Sequence, residues 1–331
     1  MHHLVAVQSQ DYSGATWALA QRMAGVDAAS IDRAFDAGEL VRTHVLRPTW
    51  HFVSPEDLRW LIALTGPRLQ RGVAHRHRAL EIDAALATRS TQVFERAIAL
   101  AGPLTRQELR AALARAGIEA EAGRLTHLVM HAELEAILCS GPRKGTAQTY
   151  ALVDKRIPLT PTKPRDEALA ELARRYVVSH GPAQDVDLAW WSGLSLGDAR
   201  HGLATATPAL EREVVDGRTF WFAEFRGTPA PSSLHLLPNF DELLVAFRDR
   251  SDALDPALPV PARVPGEILN NVIVRDGRVV GRWRRTNGPV DTGLALEPLV
   301  PLESADRRRL LAASERYAAF LGRPIRVSGL D

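Results

Sequence analysis

Residues 103–154 read PLTRQELRAALARAGIEAEAGRLTHLVMHAELEAILCSGPRKGTAQTYALVD, and this stretch decides the fold. Thr105 stands where a helix N-cap is needed, and Glu108, three residues on, completes a capping box. Leu109, Leu113 and Ile118 then supply an apolar stripe. A second helical stretch, EAGRLTHLVMHAELEAI, runs into ILCSGPRKGTAQTYALV, two short apolar strands around a tip of Gly, Pro, Arg and Lys. Helix, turn, helix and basic-tipped hairpin together describe a winged helix.

The same order recurs on both sides. Residues 168–204, ALAELARRYVVSHGPAQDVDLAWWSGLSLGDARHGLA, give a helix, a turn at Gly181-Pro182 and two more helices. LEREVVDGRTFWFAEF (210–225) then forms strands around Asp216-Gly217, a strong hairpin dipeptide. Nearer the N-terminus the echo is less complete: a helix over Ala34–Val41, a strand-like THVLRPTWHFV (43–53), and Ser54 capping the next helix with Asp57 in the box position. The repeat is one of architecture, not of sequence identity.

Composition shifts near residue 226. GTPAPSS (227–233) reads as a linker, and LHLLPNFDELLVAF, ILNNVIVRDGRVVGRWRRT and GLALEPLVPL beyond it are rich in strand formers. Asp276-Gly277 marks a hairpin, and SADRRRLLAASERYAAFLG a closing helix. The expected fold class is α+β. Winged-helix units at 1–85 (N-terminally incomplete), 86–160 and 161–226 precede a β-rich domain at 227–331 with a terminal helix.

With 331 residues, 46% of them hydrophobic and 24% charged, the chain is globular in composition, neither disordered nor fibrous. One cysteine, Cys139, excludes a disulfide scaffold and a cysteine-rich zinc site. No apolar run approaches the roughly 18 residues of a membrane span, and no secretory segment opens the chain, so a cytoplasmic protein is expected. The 41 basic and 39 acidic residues leave a formal charge of only +2, which names no partner. Their distribution says more. RLQRGVAHRHR (68–78) holds four arginines, two histidines and no acid, and RWRR spans 282–285. Such clusters can follow a phosphate backbone; each, taken alone, equally suits a solvated surface.

Gly193-Leu-Ser195-Leu-Gly197 matches the nucleophile-elbow pattern, but that motif needs a strand before its serine. The preceding DVDLAWWS is helical and Asp198 follows Ser195 by three, so Ser195 reads as a helix cap and a hydrolase triad is rejected. His127 and His131 have the i, i+4 spacing of two metal ligands on a helix, with nothing to complete a known set. His75 and His77 lie inside the arginine run. There is no Gly-rich phosphate loop. Neither metal nor cofactor is expected.

The segment LVAVQSQDYSGATWALAQRM (4–23) stands out. Gln8 and Gln10 flank a small residue and are followed at once by Asp11 and Tyr12. An extended or turn conformation sets residues two apart on one side. Two carboxamides pointing together can hold one water through donor and acceptor sites. Spacing alone favours a simpler reading, a polar turn before an amphipathic helix carrying Trp17 and Leu19.

VQSQDYSGATWAL resembles the Q-x-Q block of the bacterial winged-helix DNA glycosylases, the AlkZ-like family that unhooks interstrand crosslinks. Three further blocks agree in order: LVRTHVLRPTWHFVSPEDL (40–58), GPAQDVDLAWWSGLS (181–195) and LLPNFDELLVAFRDR (236–250), with VVGRWRR (279–285) after them. The resemblance covers essentially the whole chain. It implies tandem winged helices and a β-rich domain in a C-shaped, DNA-cradling monomer found with the nucleoid, with no obligate protein partner. It also implies hydrolysis of the N-glycosidic bond of N7-alkylated purines in duplex DNA, bulky adducts and crosslinks included. Gln8 and Gln10 become the catalytic pair, with Asp11 the alternative general base. Arg47, Thr49 and His51 fall in the block resembling a conserved strand, and Asp241 and Arg248 in the last strong block, for site structure or DNA contact. Phosphate contacts are expected from Arg68, Arg71, Arg76 and Arg78, with Arg143, Lys144, Arg284 and Arg285.

Two features depart from the family pattern. Ser9 replaces an apolar middle residue, and only seven residues precede Gln8 where relatives carry another helical segment. Either the start is truncated or the first winged helix lacks a helix. The rival expectation is a non-catalytic winged-helix regulator, which would dimerise on a palindromic site.

Overall fold

The computed structural model describes residues 1–206, 209–224 and 232–330. The chain enters through β1 (Ala6–Gln8) and α1 (Tyr12–Ala20) and forms two compact units. One comprises Met1–Val7 and Arg33–Ala223, the other Gln8–Asp32 and Glu224–Asp331.

The helix expected over Ala34–Val41 is instead α2 (Ala28–Ala37), of which only the part from Arg33 belongs to the first unit. Gly38 follows with φ +85°, a conformation that ends a helix, and Val41 already opens β2 (Val41–Val45). β2 pairs antiparallel with β3 (Arg47–Val53), from Val41↔Val53 to Val45↔Arg47, and the chain reverses at the buried Leu46, whose φ is +39°. Ala6 and Val7 belong to the same sheet, ordered β1-β3-β2. The long α3 (Pro55–Ala79) follows. Ser54 takes its N-cap position, but the hydroxyl donates to Asp57 Oδ2 (2.9 Å) and accepts no backbone N–H.

Next come α4 (Ala84–Ala101), β4 (Leu104–Thr105), α5 (Arg106–Arg115), α6 (Ala122–Leu134), β5 (Leu138–Lys144) and β6 (Ala147–Leu152), with the strands ordered β4-β6-β5. The capping box read from sequence is present: Glu108 N–H donates to Thr105 Oγ1 (3.2 Å) and Thr105 N–H to Glu108 Oε2 (2.6 Å). Phe94, Leu109, Leu113, Leu125, Leu128 and Leu138 bury the apolar faces of these elements against one another. After α7 (Val153–Arg156) the order repeats as α8 (Arg165–His180), α9 (Asp185–Ser192), α10 (Leu196–Thr205), β7 (Glu211–Val215) and β8 (Arg218–Phe222). Asp216 and Gly217 turn the hairpin at φ +50° and +74°, the paired positive values a two-residue hairpin loop needs. Ser195 caps α10, its Oγ accepting from Asp198 N–H (3.0 Å).

The second unit contains α1, β9 (Leu234–Leu237), α11 (Glu242–Val245), α12 (Pro265–Ile268), β10 (Val272–Arg275), β11 (Arg278–Asn287), β12 (Thr292–Pro298), α13 (Ser304–Leu321) and β13 (Ile325–Ser328). Its sheet runs β13-β12-β11-β10-β9, antiparallel in every pair but β12 with β13. A parallel pair requires a crossover, and α13 supplies it, so a strand follows the helix expected to close the domain. α1 is not amphipathic: Gly14 to Ala20 are all buried. Trp17 lies 5.0 Å from the Tyr317 ring and 5.1 Å from Phe320, both on α13. Of the linker expected at 227–233, residues 227–231 and the boundary at 226 lie outside the described residues. Among the described residues no helix is long and apolar enough to cross a membrane.

One tight contact tests the first unit. Gly193 caps α9 with φ +69°, and a Cβ there would stand 2.0 Å from the carbonyl oxygen of Leu46. Gly193→Ala combines an unfavourable φ with a backbone collision. It is expected to destabilise the protein by about 2–4 kcal/mol, read as a lowered urea midpoint.

Candidate catalytic segment and nucleic-acid interface

The Q-S-Q-D segment lies in the second unit. β1 ends at Gln8, and the chain bends through Gln10 and Asp11 into α1. The two glutamines differ in exposure: Gln8 is 7% exposed and Gln10 lies at the surface, while Ser9 between them is fully buried. Asp11 is the N-cap of α1. Its Oδ1 accepts from Gly14 N–H (3.1 Å), and Asn239 Nδ2 approaches its Oδ2 at 3.5 Å. Gly14 leaves room for this cap, since a Cβ there would lie 2.8 Å from Asp11 Oδ2.

Residues 236–242 hold this segment along its length. The Gln8 N–H donates to Glu242 Oε1 at 2.8 Å, and the Trp17 indole N–H to the Leu236 carbonyl at 2.7 Å. At the far end Arg22 grips Asp241 with both guanidinium nitrogens, Nη1 to Oδ2 at 2.9 Å and Nη2 to Oδ1 at 2.7 Å. Asp241 and Glu242 are each 1% exposed. Burial works against the Arg22 charge, but Asp241 and then Glu242 outweigh it and raise the guanidinium above its ordinary value. Asp241 Oδ1 also accepts from Leu243 N–H (3.0 Å), capping α11. The expectation that Asp241 serves either site structure or DNA contact therefore divides: its carboxylate is committed inside the protein. Arg22, Asn239 and Glu242 escaped the sequence reading. The one visible signal was Glu242 itself, a second acid inside the apolar run FDELLVAF.

The other residues of this unit lie apart from that frame in the sequence. Arg248 is exposed at the end of the block, its carbonyl accepting from Arg250 Nη1 (3.3 Å). On β11, Arg284 is exposed, whereas Arg285 donates to the Tyr317 hydroxyl at 3.1 Å.

In the first unit, Arg47, Thr49 and His51 alternate along β3. His51 is fully buried and its Nδ1 lies 2.9 Å from the Thr49 carbonyl. A carbonyl only accepts, so Nδ1 carries the proton. Arg68, Arg71, Arg76 and Arg78 are all exposed on α3. At 100° per residue Arg68, Arg71, His75 and Arg78 fall within one stripe of the helix. Arg68 Nε donates to the Gly193 carbonyl (2.8 Å) and Arg71 Nε to that of Pro67 (3.2 Å), and among the described residues neither binds a carboxylate. The basic hairpin tip differs. Arg143 is tied to Asp36 through its backbone N–H (2.9 Å) and its guanidinium (3.5 Å), and Lys144 to Glu108 at 3.1 Å.

The inner face of α3 carries Leu69 and Val73 against Met130 and Leu134 of α6, and His77 continues that seam. His77 meets His127 edge-on, with centroids 5.2 Å apart at 88°. No group of three metal-ligating side chains occurs among the described residues. Burial lowers His77, with His131 adding to it; burial lowers His127, helped by His77, Arg76 and His44; burial lowers His131 against the pull of Glu135. Histidines depressed on folding bind fewer protons in the native state. Their contribution is complete above the ordinary value of 6.5 and is lost as pH falls through the lowered native values. The urea midpoint is expected to drop between pH 7.5 and 5, and to drop less in the His77→Gln, His127→Gln double variant.

Comparison with known proteins accords with this architecture. A family model described as DNA glycosylase AlkZ-like matches residues 1–320. An interstrand DNA cross-link repair glycosylase of Streptomyces sahachiroi is 28% identical over 351 aligned residues, which cover 99% of this chain and 90% of the relative. The solved structure of Streptomyces sahachiroi DNA glycosylase AlkZ has the same α+β fold. It matches with a TM-score of 0.75 at 22% identity, over 99% of this chain and 92% of that one.

Proposed function

This chain belongs to the AlkZ-like DNA glycosylase family and is an N-glycosyl hydrolase acting on DNA, and on that premise we propose that it releases N7-alkylated purines with a water held by Gln8 and Gln10. The observation that carries the reading is the buried hydrogen-bonded frame around the Q-S-Q-D segment, which ends at Glu242 on one side and Asp241 on the other.

The chemistry fits neutral amides. Alkylation at N7 leaves the purine cationic, so when the C1′–N9 bond breaks its electron pair neutralises the departing base. Water oxygen forms the new bond to C1′ and its proton passes to solvent or to Asp11. Little general-base strength is needed, and orientation alone contributes up to roughly 7–11 kcal/mol in well-aligned reactions. The carboxylate of Asp11 caps α1, and its charge also opposes the positive charge that develops on the sugar. The cross-link repair glycosylase among the relatives extends the proposed substrates to bulky adducts and interstrand crosslinks. An open cleft suits such lesions better than a closed pocket around a flipped base.

Gln8→Ala is expected to slow single-turnover release of N7-methylguanine from methylated duplex DNA by about 10²-fold or more, with DNA affinity nearly unchanged. Gln10→Ala should act in the same direction. Release at the parental rate from both variants would overturn the water assignment.

Affinity is assigned to the acid-free arginines of α3, which contact phosphates without reading bases. Replacing Arg68, Arg71 and Arg78 by Ala is expected to flatten the plot of log K against log salt by about 2–3 in slope, at 0.9 per phosphate contact. Arg143→Ala, whose guanidinium already faces Asp36, should change it far less.

A further inference from the structure

We infer that Glu242 is a positioning residue for the reaction, fixing the backbone of Gln8 so that the side-chain amide holds its water in one place. The inference rests on the proposed role of Gln8 and adds a residue to it.

The Gln8 N–H is the last donor of β1, at the point where the strand gives way to a bend. Such a donor is commonly met by a neighbouring carbonyl. Here it is met by a carboxylate oxygen at 2.8 Å, on a side chain 1% exposed. Burying a carboxylate is costly unless charged or hydrogen-bonded partners offset it. A bond from an amide to a carboxylate is roughly twice as strong as one to a neutral acceptor. The fold thus places a buried charge where any carbonyl would satisfy the donor. What it gains is a stiffer hold on one backbone atom.

That hold has a rigid base. Glu242 opens α11, and the residue before it, Asp241, caps the same turn and binds Arg22 through two bonds. Adjacent residues of one turn therefore clamp the segment at both ends, Glu242 at Gln8 and Asp241 at Arg22. Between them the N-cap Asp11 and the Trp17 bond to Leu236 fix α1. A carboxamide cannot compensate for misplacement through a stronger base, so its effect depends on geometry. A displacement of about 1 Å costs on the order of 10²-fold in rate.

The test compares Glu242→Ala with Glu242→Gln by single-turnover base release, DNA binding and Gln8 amide hydrogen exchange measured by NMR. Glu242→Ala is expected to slow release by about 30- to 100-fold, leave the DNA Kd within about twofold, and speed Gln8 exchange. Glu242→Gln keeps an acceptor oxygen and is expected to recover most of the rate and the slow exchange. The Gln8→Ala, Glu242→Ala double variant should be no slower than Gln8→Ala, because the two residues act on the same water. A Glu242→Ala rate within twofold of the parent, a Glu242→Gln as slow as Glu242→Ala, or equal Gln8 protection in all three proteins would each overturn the inference. If the parent releases no base, the proposed function fails while amide exchange still decides the contact. If Glu242→Ala does not fold, Glu242→Gln and the exchange rate of the parent decide it.

Discussion

The second unit depends on the ion pair between Arg22 and Asp241. The Asp241 side chain has no exposure and that of Arg22 has 30%, so the carboxylate cannot turn to water for an alternative partner. Removing one member of such a buried pair generally costs about 3–5 kcal/mol, because the other is stranded. Asp241 also accepts from the backbone of α11, which makes the pair part of the turn itself. Once that turn is fixed to the end of α1, the next residue meets Gln8 and Leu236 meets Trp17. A chain segment of some fifteen residues is thereby located by seven others more than two hundred positions away.

Charge elsewhere is divided with the same economy. Arg68 and Arg71 of α3 donate to backbone carbonyls, which leaves their charge uncancelled at the surface, whereas Arg59 nearer the start of the helix is paired with Asp154. Those of the β5–β6 tip and of β11 mostly face acids or hydroxyls: Arg143 faces Asp36, Arg282 faces Glu267 and Glu297, and Arg285 meets Tyr317. Counting basic residues therefore overstates the surface available to a phosphate backbone. A formal charge of +2 becomes a cationic stripe only because the acids are spent on particular partners. His77 of α3 and His127 of α6 add little to that stripe near neutral pH, since burial holds both below the ordinary imidazole value.

Local signals in the sequence located local structure well. The Thr105 and Glu108 box, the Asp216-Gly217 and Asp276-Gly277 hairpins and the Ser195 cap each depend on residues within four positions, and each is found. Two local readings failed for local reasons. The helix near residue 34 starts six residues earlier and stops at Gly38, whose positive φ outweighs the helical pattern beyond it. α1 reads as amphipathic because Gly14, Ala15, Ala18 and Ala20 are neutral in any pattern, yet all are buried, as is Trp17, which packs on Tyr317 and Phe320 of α13. β13 was missed because a parallel partner lies across a helix, where no turn residue announces it. The proposed glutamine pair is legible through the family resemblance, since spacing alone reads as a polar turn. Its supports were not: Arg22 to Asp241 and Gln8 to Glu242 span 219 and 234 residues, and no periodicity carries information over that distance.

This separation between visible and hidden residues has a physical basis. A catalytic acid or base advertises itself through chemistry, because its pKa must be tuned by burial or by a neighbouring charge. A carboxamide has no useful pKa, so on the proposed reading its environment is built to fix position. Ionised groups then belong behind the amides, where a carboxylate–amide bond and a bidentate ion pair restrain backbone and helix, and not among the reacting atoms. The same logic explains why Asp11, the one carboxylate beside the glutamines, holds the N-terminus of α1. Its Oδ1 is anchored by the Gly14 N–H. On the proposed reading, a carboxylate fixed in that way offers a steady negative potential to a cationic base and a developing positive sugar, with no proton transfer required of it.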